Sequence, residues 1–199
     1  MASSQAVRFR PFLLARDMAA AAALGLTGDI ICQRYVEGSE ALDQRRMFAF
    51  SSFSGLYTGG VCHFAYAMYP PLVLRFFPAW FAGSPLRIGM GCALIDNGIH
   101  SPLAYIPCYF IWCDTVQGSS FQDALAHLKR DWLEVWVHCV GMWIPLQALN
   151  FTVVPAAQRV IFVNCCNLVW SVVMDYLSHK EAHGHGGAPA PAAKKEHVK

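Results

Sequence analysis

From Met47 to Leu74 the chain runs 28 residues without an Asp, Glu, Lys or Arg. A further 24 uncharged residues lie between Glu134 and Arg159, and between Arg87 and Asp114 the only charge is Asp96. Residues 160–174 add another 15, and residues 18–28 near the N-terminus are uncharged too. A helix needs about 20 apolar residues to cross about 30 Å of hydrocarbon, and three of these stretches reach that length. A soluble helix would need a polar face at every turn, for which residues 47–74 offer only Ser, Thr, Gly and one His. Composition agrees, with 55% apolar and 14% charged residues, where a soluble domain carries about 25% charged. A net charge of +2 without a basic stripe excludes a nucleic-acid binder, and the apolar content excludes a disordered chain. The expected fold is all-α, a polytopic transmembrane helical bundle.

The charge pattern predicts four spans, near residues 12–33, 47–69 and 88–112, with the last either 133–154, bent at Pro145, or 160–176 after Pro155. An extra broken or interfacial segment accompanies them. Residues 121–132 read as an amphipathic helix on the membrane surface, with Phe121, Leu125, Leu128 and Trp132 on one face. The aromatic run 76–81 beside Arg75 suits an interfacial anchor. Residues 1–180 read as one membrane-embedded domain, and the Gly/Pro/Ala/Lys-rich residues 181–199 as a disordered polar tail. Counting Lys and Arg in the links leans towards both termini sharing a side, as an even number of spans requires.

The first 28 residues carry Arg8, Arg10 and Arg16 against one acid, Asp17. That composition suits a mitochondrial-type presequence as well as an ordinary basic flank, and no cleavable secretory signal is visible. The eight cysteines fall in or beside apolar stretches without a C-x-x-C pair, so they read as reduced apolar residues, not as a redox or zinc motif. His179, His183 and His185 lie in the tail, and no metal site or cofactor is expected.

An ionised side chain at bilayer depth costs about 2.5–3.5 kcal/mol, so it faces the bundle interior or water. Asp96 lies eight residues into its span, with Asn97 beside it and His100 one turn on; Asp29 and Gln33 repeat that i, i+4 spacing. These four, with Gln147, Asn150 and Arg159, are the candidates for lining or gating a pore. His63, Asn164 and Asn167 read as interhelical glue. Gly55 and Gly59, four apart, form a small face for close helix packing.

Several strings resemble the family of the 22-kilodalton peroxisomal membrane protein, also called the Mpv-seventeen family. GDIICQ at Gly28–Gln33 is similar to its opening motif, and GGVCHFAY at Gly59–Tyr66 to its Gly-Pro-x-x-His-x-Trp-Tyr. Asp96-Asn97 with Pro102 resembles its Asp-Gln-x-x-x-x-Pro. WIPLQALNFTVVPAAQR at Trp143–Arg159 resembles the most specific block, and Trp170–Lys180 the closing helix. The chain departs at Gly60 (proline in the family), Ala65 (tryptophan), Asn97 (glutamine), Ser171 (asparagine) and Asp175 (serine), and its Trp-Pro becomes Trp143-Ile144 with Pro145 displaced. At Cys92 the family has a lysine one turn before Asp96, so an ion pair there is lost.

The resemblance implies a four-span protein of the mitochondrial inner membrane, with the peroxisomal membrane as the alternative. It also implies a weakly selective pore for small solutes and metabolites with a role in organelle homeostasis. The partners expected are the lipid bilayer and small-molecule solutes, with a homo-oligomer open and no nucleic acid. A non-transporting scaffold or assembly factor is the second reading. An intramembrane enzyme using Asp96 and His100 is the third, weakened by the lack of a nucleophile, metal set or phosphate loop.

Overall fold

The computed structural model describes residues 11–169, and every regular element among them is helical. Expectations for Arg8 and Arg10, the Trp170–Lys180 motif, the tail histidines and the polar tail lie outside these residues. Four long helical rods follow one another. The first joins Pro11–Ile31 to a π-helical turn at Cys32–Val36. The second joins Gln44–Phe53, a π segment Ser54–Val61 and Cys62–Phe76. The third joins Pro85–Ile95, a π segment Asp96–Tyr105 and Ile106–Gln117. The fourth is an unbroken helix, Phe121–Thr152. Residues 159–169 form a fifth helical segment after a 3₁₀ turn at Ala156–Gln158.

Local chemistry sets the ends. Asp43 accepts from the backbone N–H of Arg45 and Arg46 at 2.9 and 3.1 Å, capping the second rod. Ser84 and Ser120 cap the third and fourth in the same way. Gly118 takes φ +107°, which closes the third rod and turns the chain within three residues. The π segments fall where the sequence weakens the α ladder: Gly55, Gly59 and Gly60 in one, Gly98 and Pro102 in the other.

Cross-links fix the rods' directions. Asp29 meets Arg46 and Asp17 meets His63, so the first two rods are antiparallel. Tyr69–Asp96 and Trp112–Ser52 hydrogen bonds make the second and third antiparallel. The indoles of Trp132 and Trp136 donate to the carbonyls of Pro102 and Asn97, tying the fourth rod to the third. The fifth segment runs parallel to the first rod: Arg16 donates to the Ala157 carbonyl, and eleven residues on Leu168 packs over Gly28. We call the face carrying the start of the first rod the near face and the opposite one the far face.

Two expectations change here. The amphipathic stretch 121–132 is not a separate surface helix. It continues into the fourth rod because no Gly or Pro interrupts residues 119–140, and Leu128 is buried against Ile106 and Phe110. The first candidate for the last span, 133–154, is helical to Thr152 and passes through Pro145 unbroken, and the described part of the second, 160–169, is helical as well. The described residues 159–169 therefore form a short helical segment beside the first rod. At the far face His127 bridges Asp114 (2.7 Å) and Asp131 (3.1 Å), and the Arg130 guanidinium bonded to Asp131 holds that carboxyl below its ordinary range.

No single described helix is long and apolar enough to cross a membrane. The π segments divide the second and third rods, the first carries Arg16, Asp17 and Asp29, and the fourth begins with a charged half.

Gly59 sits where the first two rods touch: a Cβ there would lie 2.4 Å from the Met18 Cα and 2.8 Å from the Asp17 carbonyl oxygen. Gly55 is the next contact up, 3.1 Å from the Ala22 Cβ. Both face the protein, in the small-residue seam expected of that spacing.

Candidate functional site: two joined chambers inside the bundle

Asp96 begins the π segment of the third rod and is 7% exposed. Three rods reach it. The Tyr69 hydroxyl donates to Oδ1 at 3.0 Å, His100 Nδ1 lies 3.0 Å from the same oxygen, and Gln147 Nε2 donates to Oδ2 at 2.5 Å. The network extends outward: Tyr57 meets His100 Nε2 at 3.0 Å, Gln147 Nε2 also donates to the Tyr66 hydroxyl, and Asn150 Nδ2 donates to Gln147 Oε1 at 2.9 Å. If His100 carries hydrogen on Nδ1, facing Asp96, then Nε2 accepts the Tyr57 proton, so the partners on either side select the tautomer. Asn150 Oδ1 is buried without a hydrogen-bond partner.

A small chamber of about 50 Å³ adjoins this network, lined by Asp96, Asn97, His100, Thr58 and Ser101 among others. It has room for a few waters. On the near-face side of Asp96, Val73, Cys92 and Phe151 are buried with Tyr66 and Tyr69 in one apolar cluster.

A larger chamber of about 400 Å³ occupies the far half of the bundle. Asp29 and Arg46 stand in its wall, with Arg46 Nε 2.7 Å from Asp29 Oδ1 as an ion pair outside hydrogen-bond alignment. Arg46 also meets Glu37 at 2.5 Å, while Gln33 donates to Asp29 Oδ2 at 2.7 Å and accepts from the Asp43 backbone. The two chambers share four wall residues: Tyr105, Cys139, Trp143 and Asn167. They form a waist between the Asp29–Arg46 pair and the Asp96 network.

The expected polar candidates separate accordingly. Asp96, His100, Gln147 and Asn150 come together in one network, and Asp29 and Gln33 in another. Arg159 joins neither: it bonds the carbonyls of Phe151 and Val154 and lies over the Phe151 ring at 4.9 Å, closing the end of the fourth rod. Its spacing from Asn150 said nothing of the 3₁₀ turn that swings it back. Asn167, read as glue, lines both chambers. Tyr57, Tyr66 and Tyr69 were not singled out, because a tyrosine in an apolar run reads as core; their recurrence along the inner face of the second rod was the available signal. No disulfide joins the eight cysteines, all of which lie among the described residues, and Cys108 and Cys165 are exposed. No group of His, Cys, Asp and Glu among the described residues could hold a metal.

Residues 114–175 match the Mpv17 / PMP22 family. The SYM1 protein of Mycosarcoma maydis is 30% identical over 172 residues, covering 83% of this chain and 78% of its own. The mitochondrial inner membrane protein Mpv17 of Bos taurus is 26% identical over 165 residues (82% of this chain, 88% of its own), and its Homo sapiens counterpart 27% over the same shares. No solved structure matches. At this identity over most of both chains, the protein belongs to the Mpv17/PMP22 family, and to its mitochondrial inner-membrane members.

Proposed function

We propose that the four rods and the fifth segment stand across the membrane and enclose a path for small solutes, closed at the near face in this conformation. One observation carries the reading: two chambers, each with a carboxylate in its wall, share four wall residues inside the bundle. Each π-divided rod is one continuous helical column, so the relevant span is the column and not its pieces. The outward faces support this, since Phe48, Leu56, Phe64 and Met68 are all exposed along one column, as lipid contact favours. The solutes are small and the partner surface is lipid; the chain carries out no covalent chemistry. The scaffold reading draws on the same geometry, because Asp96 is well hydrogen-bonded without any solute.

Two measurements test the proposal. Alkaline carbonate should leave the protein in the membrane pellet; release into the supernatant sinks the transmembrane reading. Purified protein in planar bilayers should give discrete conductance that Trp143→Ala, at the waist, enlarges. Silent bilayers with correctly folded protein would favour the scaffold.

A further inference from the structure

The far chamber differs in chemistry from a water-filled passage. Six aromatic residues stand in its wall: Phe50, Phe53, Tyr105, Tyr109, Phe110 and Trp143. Phe53 meets Tyr105 and Tyr109 edge to face at 5.5 and 5.3 Å, and Tyr109 meets Phe50 and Phe110, so five of the rings form one connected surface. The charges in that wall are Asp29 and Arg46 among the described residues. Arg46 is engaged by two carboxylates, Asp29 and Glu37, so an anion entering would meet Asp29 and find the guanidinium already occupied. Asp29 is 5% exposed, and its Oδ1 lacks an aligned donor. Local charge thus favours a cation, and the ring lining favours one whose charge is spread over carbon. A primary ammonium would draw on the few polar groups of that wall, at Ser54, Asn164, Asn167 and the two tyrosines; a quaternary ammonium needs none of them and meets the rings. One cation already uses this lining, since the Arg46 guanidinium lies 5.7 Å from the Phe50 ring centre.

The geometry points to a binding site in the far chamber for a bulky organic cation of the quaternary ammonium class, held by aromatic faces beside the Asp29–Arg46–Glu37 cluster, whose two carboxylates outnumber its one guanidinium. A volume of about 400 Å³ suits a molecule of one ring and a few carbons. Access to the chamber rests on the path proposed above; binding within it does not.

The test is calorimetry on the full chain in detergent with three ring-matched probes: benzyltrimethylammonium, benzyl alcohol and benzenesulfonate. The cation should bind saturably at one site per chain, at least about tenfold tighter than the alcohol, with no measurable binding of the sulfonate. Trp143→Leu should weaken the cation about tenfold while Trp143→Phe keeps most of the affinity; Tyr109→Leu repeats the loss from the opposite wall. Equal binding of the alcohol or the sulfonate, or a Trp143→Leu variant that folds and binds as the wild type does, overturns the site. Protein that binds the cation yet passes no current retires the pore and leaves the site standing. Current without saturable cation binding does the reverse.

Discussion

Asp29 and Asp96 begin alike: each is a carboxylate in an apolar helix with a polar residue four positions on. In space they part company. Asp29 is paired by a guanidinium from the neighbouring rod and faces the larger chamber. Asp96 meets no Lys or Arg among the described residues; His100 and neutral donors from two other rods hold it, beside a chamber that takes only water. An ion pair fixes one partner and leaves the rest of the wall apolar. A ring of neutral donors demands convergence from several rods and draws them together. The near half is therefore tight and the far half roomy.

That contrast can be broken from its common frame first. Gly59 sets the approach of the first two rods, and both carboxylates take partners from the second. Gly59→Leu should abolish the cooperative melt in detergent, because the clash is with backbone and cannot relax. Gly60→Leu, whose Cβ would find nothing nearer than 3.9 Å, should melt as the wild type does. Loss in both, or in neither, denies the seam.

Next is Arg46→Ala, which leaves a buried carboxylate unpaired and should cost about 3–5 kcal/mol in denaturant unfolding. Adding Asp29→Asn should recover most of that, a coupling that independent surface effects would not produce. Tyr69→Phe removes one donor to the other carboxylate and should cost about 1.5–3 kcal/mol, since a charged acceptor loses a partner in a site closed to bulk water.

Asp96→Asn should cost least, about 1 kcal/mol or below. The new amide can donate to Gln147 Oε1 once Gln147 and Asn150 both turn over, and Gln147 Nε2 can then donate to Asn150 Oδ1, the acceptor now without a partner. If the path conducts, the same variant should lessen any cation bias, read as a smaller reversal potential in asymmetric salt. A large stability loss with unchanged selectivity would make Asp96 structural alone.

The helical class and the pairing of Asp96 with His100 were legible, because both rest on local periodicity: charge-free length for one, a single helical turn for the other. What joins Asp96 to Gln147 is 51 residues of chain and a reversal at Gly118, which periodicity does not encode. The continuity of residues 121–152 was missed for another reason. A charged, amphipathic half followed by an apolar half looks like two elements, yet nothing between them breaks a helix. Tyrosines escaped notice because their hydroxyls matter only once a carboxylate is opposite.

The π segments carry a consequence for length. Drawn as plain α-helix, the second rod's 10, 8 and 15 residues would measure roughly 50 Å, far beyond the hydrocarbon of any ordinary bilayer. A wider coil climbs less per residue, so the π runs let a long sequence occupy a shorter column. Removing one residue from Asp96–Tyr105 would tighten that coil towards α, lengthen the rod and turn Asp96 away from Tyr69 and Gln147. Rod length and carboxylate placement are thus one setting of the same helix, and a change in one moves the other.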